Sequence, residues 1–169
     1  MPPAICMKSW HFLARMTQQN NWTNGLFIGE GFLSDINNLL SQNPDLTLFN
    51  LSTETQFEKL KSHFHSRFQH HLRQTIEPTF IAHSHFDFVF FSSDVIKETG
   101  IEVFKTWELK IKPKGFVFGL DAHSPEIKSL VEENRGPYYK IWTPDRLWYY
   151  QIEGITNGAK DCVRPEERR

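Results

Sequence analysis

Polar and apolar positions alternate most clearly over residues 83–94. There Ser84, Phe86, Phe88 and Phe90 fall on one side of an extended chain, and His83, His85 and Asp87 fall on the other. Phe and Val suit a pleated, half-buried surface, so the stretch predicts a strand. The same reasoning predicts strands over residues 101–111, after Gly100, and over residues 116–120, after the Lys112-Pro-Lys-Gly115 break. A different period governs the region before them. Phe57, Leu60, Phe64, Phe68, Leu72 and Ile76 recur at spacings of three and four up to Pro78, which predicts one long helix with Thr53 and Gln56 as a capping box. His63, His65, His70 and His71 occupy its remaining faces and are expected in solvent.

Nearer the N-terminus, residues 10–15 predict a short first strand, residues 17–21 a turn, and a short helix or turn from about Trp22 leads to the glycine loop Gly29-Glu-Gly-Phe-Leu33. Ser34 then caps a helix whose Ile36, Leu39 and Leu40 share a face, and Asn43-Pro44 stops it. Beyond the central strands, Ser124-Pro125-Glu126 opens a helix with Ile127, Leu130 and Val131 on its buried stripe, and Gly136 ends it. Two last strands, residues 137–142 and 147–152, flank the Thr143-Pro-Asp-Arg146 turn. These elements predict one globular α+β domain over residues 1–154, with flanking helices on a mixed or antiparallel split sheet, followed by a polar tail over residues 155–169.

Composition narrows the picture. A chain of 169 residues that is 39% hydrophobic can build one sizeable core. A net charge of −1 gives no general attraction to nucleic acid or to an anionic membrane. Cys6 and Cys162 are too few and too far apart for a zinc ribbon or a Cys-x-x-Cys redox motif, which leaves two reduced thiols or one disulfide joining the ends. No apolar run approaches the ~20 residues that span a bilayer, and the first 16 residues lack the apolar stretch of a secretory signal. A soluble protein is expected, cytoplasmic or exported without a recognisable signal, with no membrane partner.

Three sets of residues carry candidate chemistry. His83, His85 and Asp87 share a strand face and suit a metal ion, or else form the solvent side of an edge strand. Asp94 with Glu108 and Lys110 resembles the catalytic pattern of the restriction-endonuclease-like superfamily, in which Mg²⁺ and a water cleave a phosphodiester. Glu108 and Lys110 also suit an ordinary exposed pair on a strand.

The third set runs through the chain. Phe12-Leu-Ala-Arg-Met-Thr17, Asn21-Trp22, Gly31-Phe-Leu-Ser34, Phe88-Val-Phe-Phe-Ser-Ser-Asp94 and the closing stretch from Trp142 to Ile152 together resemble the ADP-ribosyltransferase superfamily. The resemblance implies a transferase or glycohydrolase that uses NAD and passes ADP-ribose to a protein, a nucleic acid or water. Arg15 and Thr17 would then contact NAD, Ser92 and Ser93 would brace its nicotinamide-ribose pocket, and Glu133, or else Glu132, would be the carboxylate that stabilises the oxocarbenium-like state. A further reading is an inactive module of the same shape that binds protein through exposed Tyr138, Tyr139, Trp148 and Tyr150.

Overall fold

The computed structural model describes residues 7–53, 56–72, 81–142 and 146–153. The chain runs α1 (Met7–Asn20), β1 (Asn24–Ile28), α2 (Leu33–Gln42), β2 (Thr47–Ser52), α3 (Glu58–Phe64), β3 (Phe68–Leu72), β4 (Phe86–Phe91), α4 (Ser93–Thr99), α5 (Glu102–Glu108), β5 (Ile111–Gly119), α6 (Pro125–Arg135), β6 (Lys140–Trp142) and β7 (Leu147–Gln151). Among the described residues the strands form one sheet in the order β3-β2-β1-β4-β5-β7-β6. β1 to β5 are mutually parallel, while β7 runs antiparallel between β5 and β6.

This corrects the expected α+β class and split sheet. Parallel strands need crossovers, so helices cover both faces and the strands become apolar on both sides. In β1, Leu26 and Ile28 enter one core cluster while Phe27 enters the other. In β4, Phe88 and Phe90 point to one face and Val89 and Phe91 to the opposite one. Helices α1, α2 and α3 pack on the face that holds Phe27, and α4, α5 and α6 on the face that holds Leu26. The result is a doubly wound α/β sheet.

Several predicted elements change type. Residues 10–15 lie in α1, where Leu13, Ala14 and Thr17 are buried on one side. The stretch after Trp22 is strand β1 rather than a helix or turn, and β2 was not expected. Residues 101–111 are mostly helix α5, with Val103, Phe104 and Trp107 buried at helical spacing. The long helix ending at Pro78 is instead α3, a turn of 3-10 helix at His65–Arg67, and β3. Thr53 and Gln56 form no capping box, since Phe57 takes the N-cap position. Ser34 lies inside α2, which starts at Leu33. Helix α6 begins at Pro125 as expected, and the last two predicted strands are β6 and β7 with trimmed ends. Cys6, Cys162, Ile76, Pro78, residues 143–145 and the tail over 155–169 lie outside the described residues.

Candidate functional site

A doubly wound sheet has one place where successive crossovers leave in opposite directions, and here it lies between β1 and β4. From β1 the chain proceeds outward to β2 and β3, then returns to β4 and moves the other way to β5. A crevice therefore opens outside the carboxyl ends of these strands, bordered by the segments after β1, β2, β4 and β5.

The segment after β1 is Gly29-Glu30-Gly31. Gly29 has φ +120° and Gly31 has φ +90°, backbone conformations that favour glycine. A Cβ on Gly29 would lie 1.9 Å from Ser92 Oγ, so the turn after β1 rests directly on the end of β4. The sheet hydrogen bonding runs right up to this turn, with Gly29 N donating to Leu51 O (2.8 Å) and Ser92 N to Ile28 O (2.9 Å). Beneath it, the buried Asn50 amide donates to Phe27 O (3.2 Å) and Gly29 O (3.3 Å) and so braces the loop; its Oδ1 has no hydrogen-bond partner among the described residues.

Glu30 projects sideways to the end of β2. Its Oε1 accepts from Thr53 N (2.6 Å) and Thr53 Oγ1 (2.5 Å), which fixes a carboxylate at the rim of the crevice. On the far side, Ser92 caps α4 by accepting from Val95 N (3.4 Å), and Ser93 Oγ donates to Asp121 Oδ2 (2.5 Å) at the end of β5. The crevice thus carries a carboxylate at each side and a glycine turn in the middle.

The residues expected to act together are spread out. Arg15 is exposed on α1 and Glu133 exposed on α6, and these helices cover opposite faces of the sheet, so Arg15, Ser92 and Glu133 do not converge. Thr17 is buried and donates to Leu13 O (2.9 Å) within its helix, and Glu132 accepts from the Tyr139 hydroxyl (3.0 Å). Of that set, Ser92 and Ser93 lie on the crevice.

The other expected sets also separate. Asp94 follows β4 at its carboxyl end, whereas Glu108 and Lys110 precede the parallel β5, at the opposite edge of the sheet. Glu108 accepts from the Tyr150 hydroxyl (2.7 Å) and the Asn134 amide (2.9 Å), and Lys110 Nζ donates to Ile81 O (2.8 Å), so both hold the fold together. Burial, then the Glu108 carboxylate, holds the Tyr150 hydroxyl well above its usual pKa. His83 and His85 precede β4 rather than lying within it, and Asp87 instead accepts from Thr23 N (2.8 Å) and Asn24 N (2.9 Å) and pairs with Lys112 (3.2 Å). Among the described residues no cluster of three His, Cys, Asp or Glu side chains suits a metal. Trp148 and Tyr150 are buried and Tyr138 and Tyr139 half-buried, which removes the expected exposed aromatic patch. No helix among the described residues is long and apolar enough to cross a membrane.

Two clefts, of about 390 and 670 Å³, open at the amino ends of β5 and of β1 and β2, away from the glycine turn. The chemistry of the donors and the strand topology, rather than cleft volume, locate the site. Glu30, Thr53, Asn50 and Asp121 were not foreseen from the sequence. Their signal was available in part: a glycine pair directly after Leu26-Phe27-Ile28, and an acid directly after the apolar run that ends at Leu120.

No family model and no curated protein sequence matches the chain. Solved structures do. A candidate caffeoyl-CoA O-methyltransferase from Staphylococcus aureus superposes with a TM-score of 0.67 over 90% of this chain and 86% of that one, at 15% identity. A methyltransferase from Geobacter sulfurreducens gives 0.66 over 89% and 82%, at 12% identity. The S-adenosylmethionine-dependent methyltransferase SibL, in its apo form, gives 0.60 over 88% and 55%, at 14% identity. The chain therefore shares the Rossmann-like, doubly wound α/β fold of these solved structures. This overturns the resemblance to ADP-ribosyltransferases, and with it NAD as cofactor and ADP-ribose transfer to a protein or nucleic acid; the nuclease and inactive-module readings likewise find no support.

Proposed function

We propose that the chain binds S-adenosylmethionine in the crevice between β1 and β4 and is a methyltransferase. The observation that carries this reading is the Gly29-Glu30-Gly31 turn at the switch point, with the Glu30 carboxylate held at the end of β2. The solved structures of the same fold bearing that activity support it.

The residues suit such a ligand. A carboxylate fixed by two hydrogen bonds on one oxygen offers its other oxygen to a vicinal diol, and Glu30 is such a group for the ribose. Gly29 and Gly31 place no side chain in the turn, and Asn50 keeps the Gly29 carbonyl from shifting. Ser92 and Ser93 form the opposite wall of the same crevice. When bound, the cofactor supplies an electrophilic methyl group on a sulfonium. The protein's task is then to hold ligand and acceptor in line and to exclude water.

Calorimetric titration tests this. S-Adenosylmethionine and S-adenosylhomocysteine should each bind saturably, and Glu30→Gln should weaken both by about tenfold or more, the cost of ~1.5–3 kcal/mol for a lost charge-assisted hydrogen bond. Absence of heat and of any thermal shift at millimolar ligand would overturn the assignment.

A further inference from the structure

Resting on that reading, we infer that Asp121, held in place by Ser93, faces the methyl acceptor and takes its proton, so that the acceptor is a protic nucleophile such as a hydroxyl group. The argument begins with position. Glu30 and Thr53 stand over the ends of β1 and β2, while Ser93 and Asp121 bridge the ends of β4 and β5. These two pairs are about two strand spacings, or ~10 Å, apart along the sheet edge. A ligand held at Glu30 would have Ser93 and Asp121 as the far wall of the crevice, with the glycine turn and Ser92 between them.

Asp121 is unusually well fixed for a loop carboxylate. It has φ +63°, a left-handed conformation that Asp and Asn adopt more readily than other non-glycine residues. Its neighbours are pinned on both sides: the Trp148 indole donates to Leu120 O (3.0 Å) and Ala122 N donates to Arg146 O (2.9 Å). Gly119 leaves room for that indole, since a Cβ there would lie 2.1 Å from the ring. Ser93 Oγ engages Oδ2, the only oxygen of this carboxylate that accepts a side-chain hydrogen bond among the described residues, and the residue is half-buried rather than enclosed.

A carboxylate in this place accepts the hydroxyl proton as the acceptor oxygen bonds to the methyl carbon and the carbon–sulfur electron pair remains on sulfur. The proton then passes from Asp121 to water. Asp121 is a catalytic residue on this account, and Ser93 a positioning residue that keeps the carboxylate turned to the crevice.

Sinefungin probes the point without an acceptor, because it carries a protonated amine where the cofactor carries its methyl group. Titrated against the intact protein, Asp121→Asn should lose about tenfold or more in sinefungin affinity while its affinity for S-adenosylhomocysteine stays within about twofold. Asn tolerates the left-handed conformation, so the variant should melt close to the wild type. Ser93→Ala should show the same selective loss to a smaller degree. Equal effects of Asp121→Asn on the two ligands, or no effect on either, would overturn the inference while leaving the cofactor assignment standing. Failure of the wild type to bind S-adenosylhomocysteine would remove both.

Discussion

Gly29→Ala is the substitution whose cost can be worked most directly from the structure. Two effects add. At φ +120° a side chain strains the backbone by ~1–3 kcal/mol. The new methyl carbon would also lie 1.9 Å from Ser92 Oγ, 2.5 Å from Ser92 Cβ and 3.2 Å from Val95 Cγ2, and such overpacking costs a further ~1–3 kcal/mol as β1 and β4 are forced apart. The expected total is therefore ~2–6 kcal/mol, measured as a lower midpoint in urea with an unchanged slope. Gly100→Ala provides the control. It has φ +72° but nothing among the described residues within 4 Å of the added carbon, so only the strain remains, ~1–2 kcal/mol. Ser92→Gly in the Gly29→Ala background should recover the packing part and leave the strain, giving a coupling of ~1–3 kcal/mol in a double-mutant cycle. If Gly29→Ala proves no more costly than Gly100→Ala, or if Ser92→Gly gives no recovery, the close contact between the glycine turn and the end of β4 is wrong.

Two other outcomes follow from groups near the sheet edges. His70 stacks on Phe57 and lies 3.0 Å from Ser52 Oγ; burial, then Lys61 and His71, lower its pKa from 6.5 against a smaller upward pull from Glu58 and Ser52. The unfolded chain thus takes up this proton first, so the stability contribution is full above pH 6.5 and is lost as pH falls through the lowered folded value; unfolding midpoints between pH 7.5 and 5 should fall less steeply in His70→Gln, and superimposable pH profiles would count against it. Tyr150→Phe removes the hydroxyl shared by Glu108 and Asn134 and should cost ~1–3 kcal/mol in urea unfolding, whereas a neutral result would mean that this network is satisfied without it.

How much of the fold the sequence displayed depends on what each period can distinguish. Phe64, Phe68 and Leu72 are spaced by four, and four is both near one helical turn and a whole number of strand repeats. The apolar register therefore ran on unbroken while the backbone changed from α3 to β3 at His65. Around α5, Ile101, Val103 and Trp107 fall on alternate positions and are strand formers by type, yet Val103, Phe104 and Trp107 are the buried ones within the helix. β1 and β2 are covered on both faces, so they offered no alternation to read. Without β1, the glycine turn had no strand before it and lost its meaning. Helix α6, by contrast, was readable because Ser124-Pro125 and Gly136 mark its ends by local chemistry alone.

The site was legible only in fragments for a related reason. Glu30, Thr53, Ser93 and Asp121 are distant in sequence and become neighbours only because the parallel strands that precede them end at one edge. Ser92 and Ser93 stood out as a polar pair at a strand end, which is compatible with any nucleotide cofactor. What separates one such cofactor from another is the charge beside the glycines. In a dinucleotide site the pyrophosphate sits at the glycine turn and the helix N-terminus that follows it. Here that turn carries Glu30, fixed by Thr53 at the rim of the crevice, and α2 begins at Leu33 directly after it. A carboxylate there repels a diphosphate, since like charges brought together cost several kcal/mol. The same carboxylate is compatible with a ribose diol and with a cofactor whose reacting centre is a cation. On the proposed reading, Glu30 is thus the residue that weighs against NAD and for a sulfonium nucleoside, more than the glycines around it.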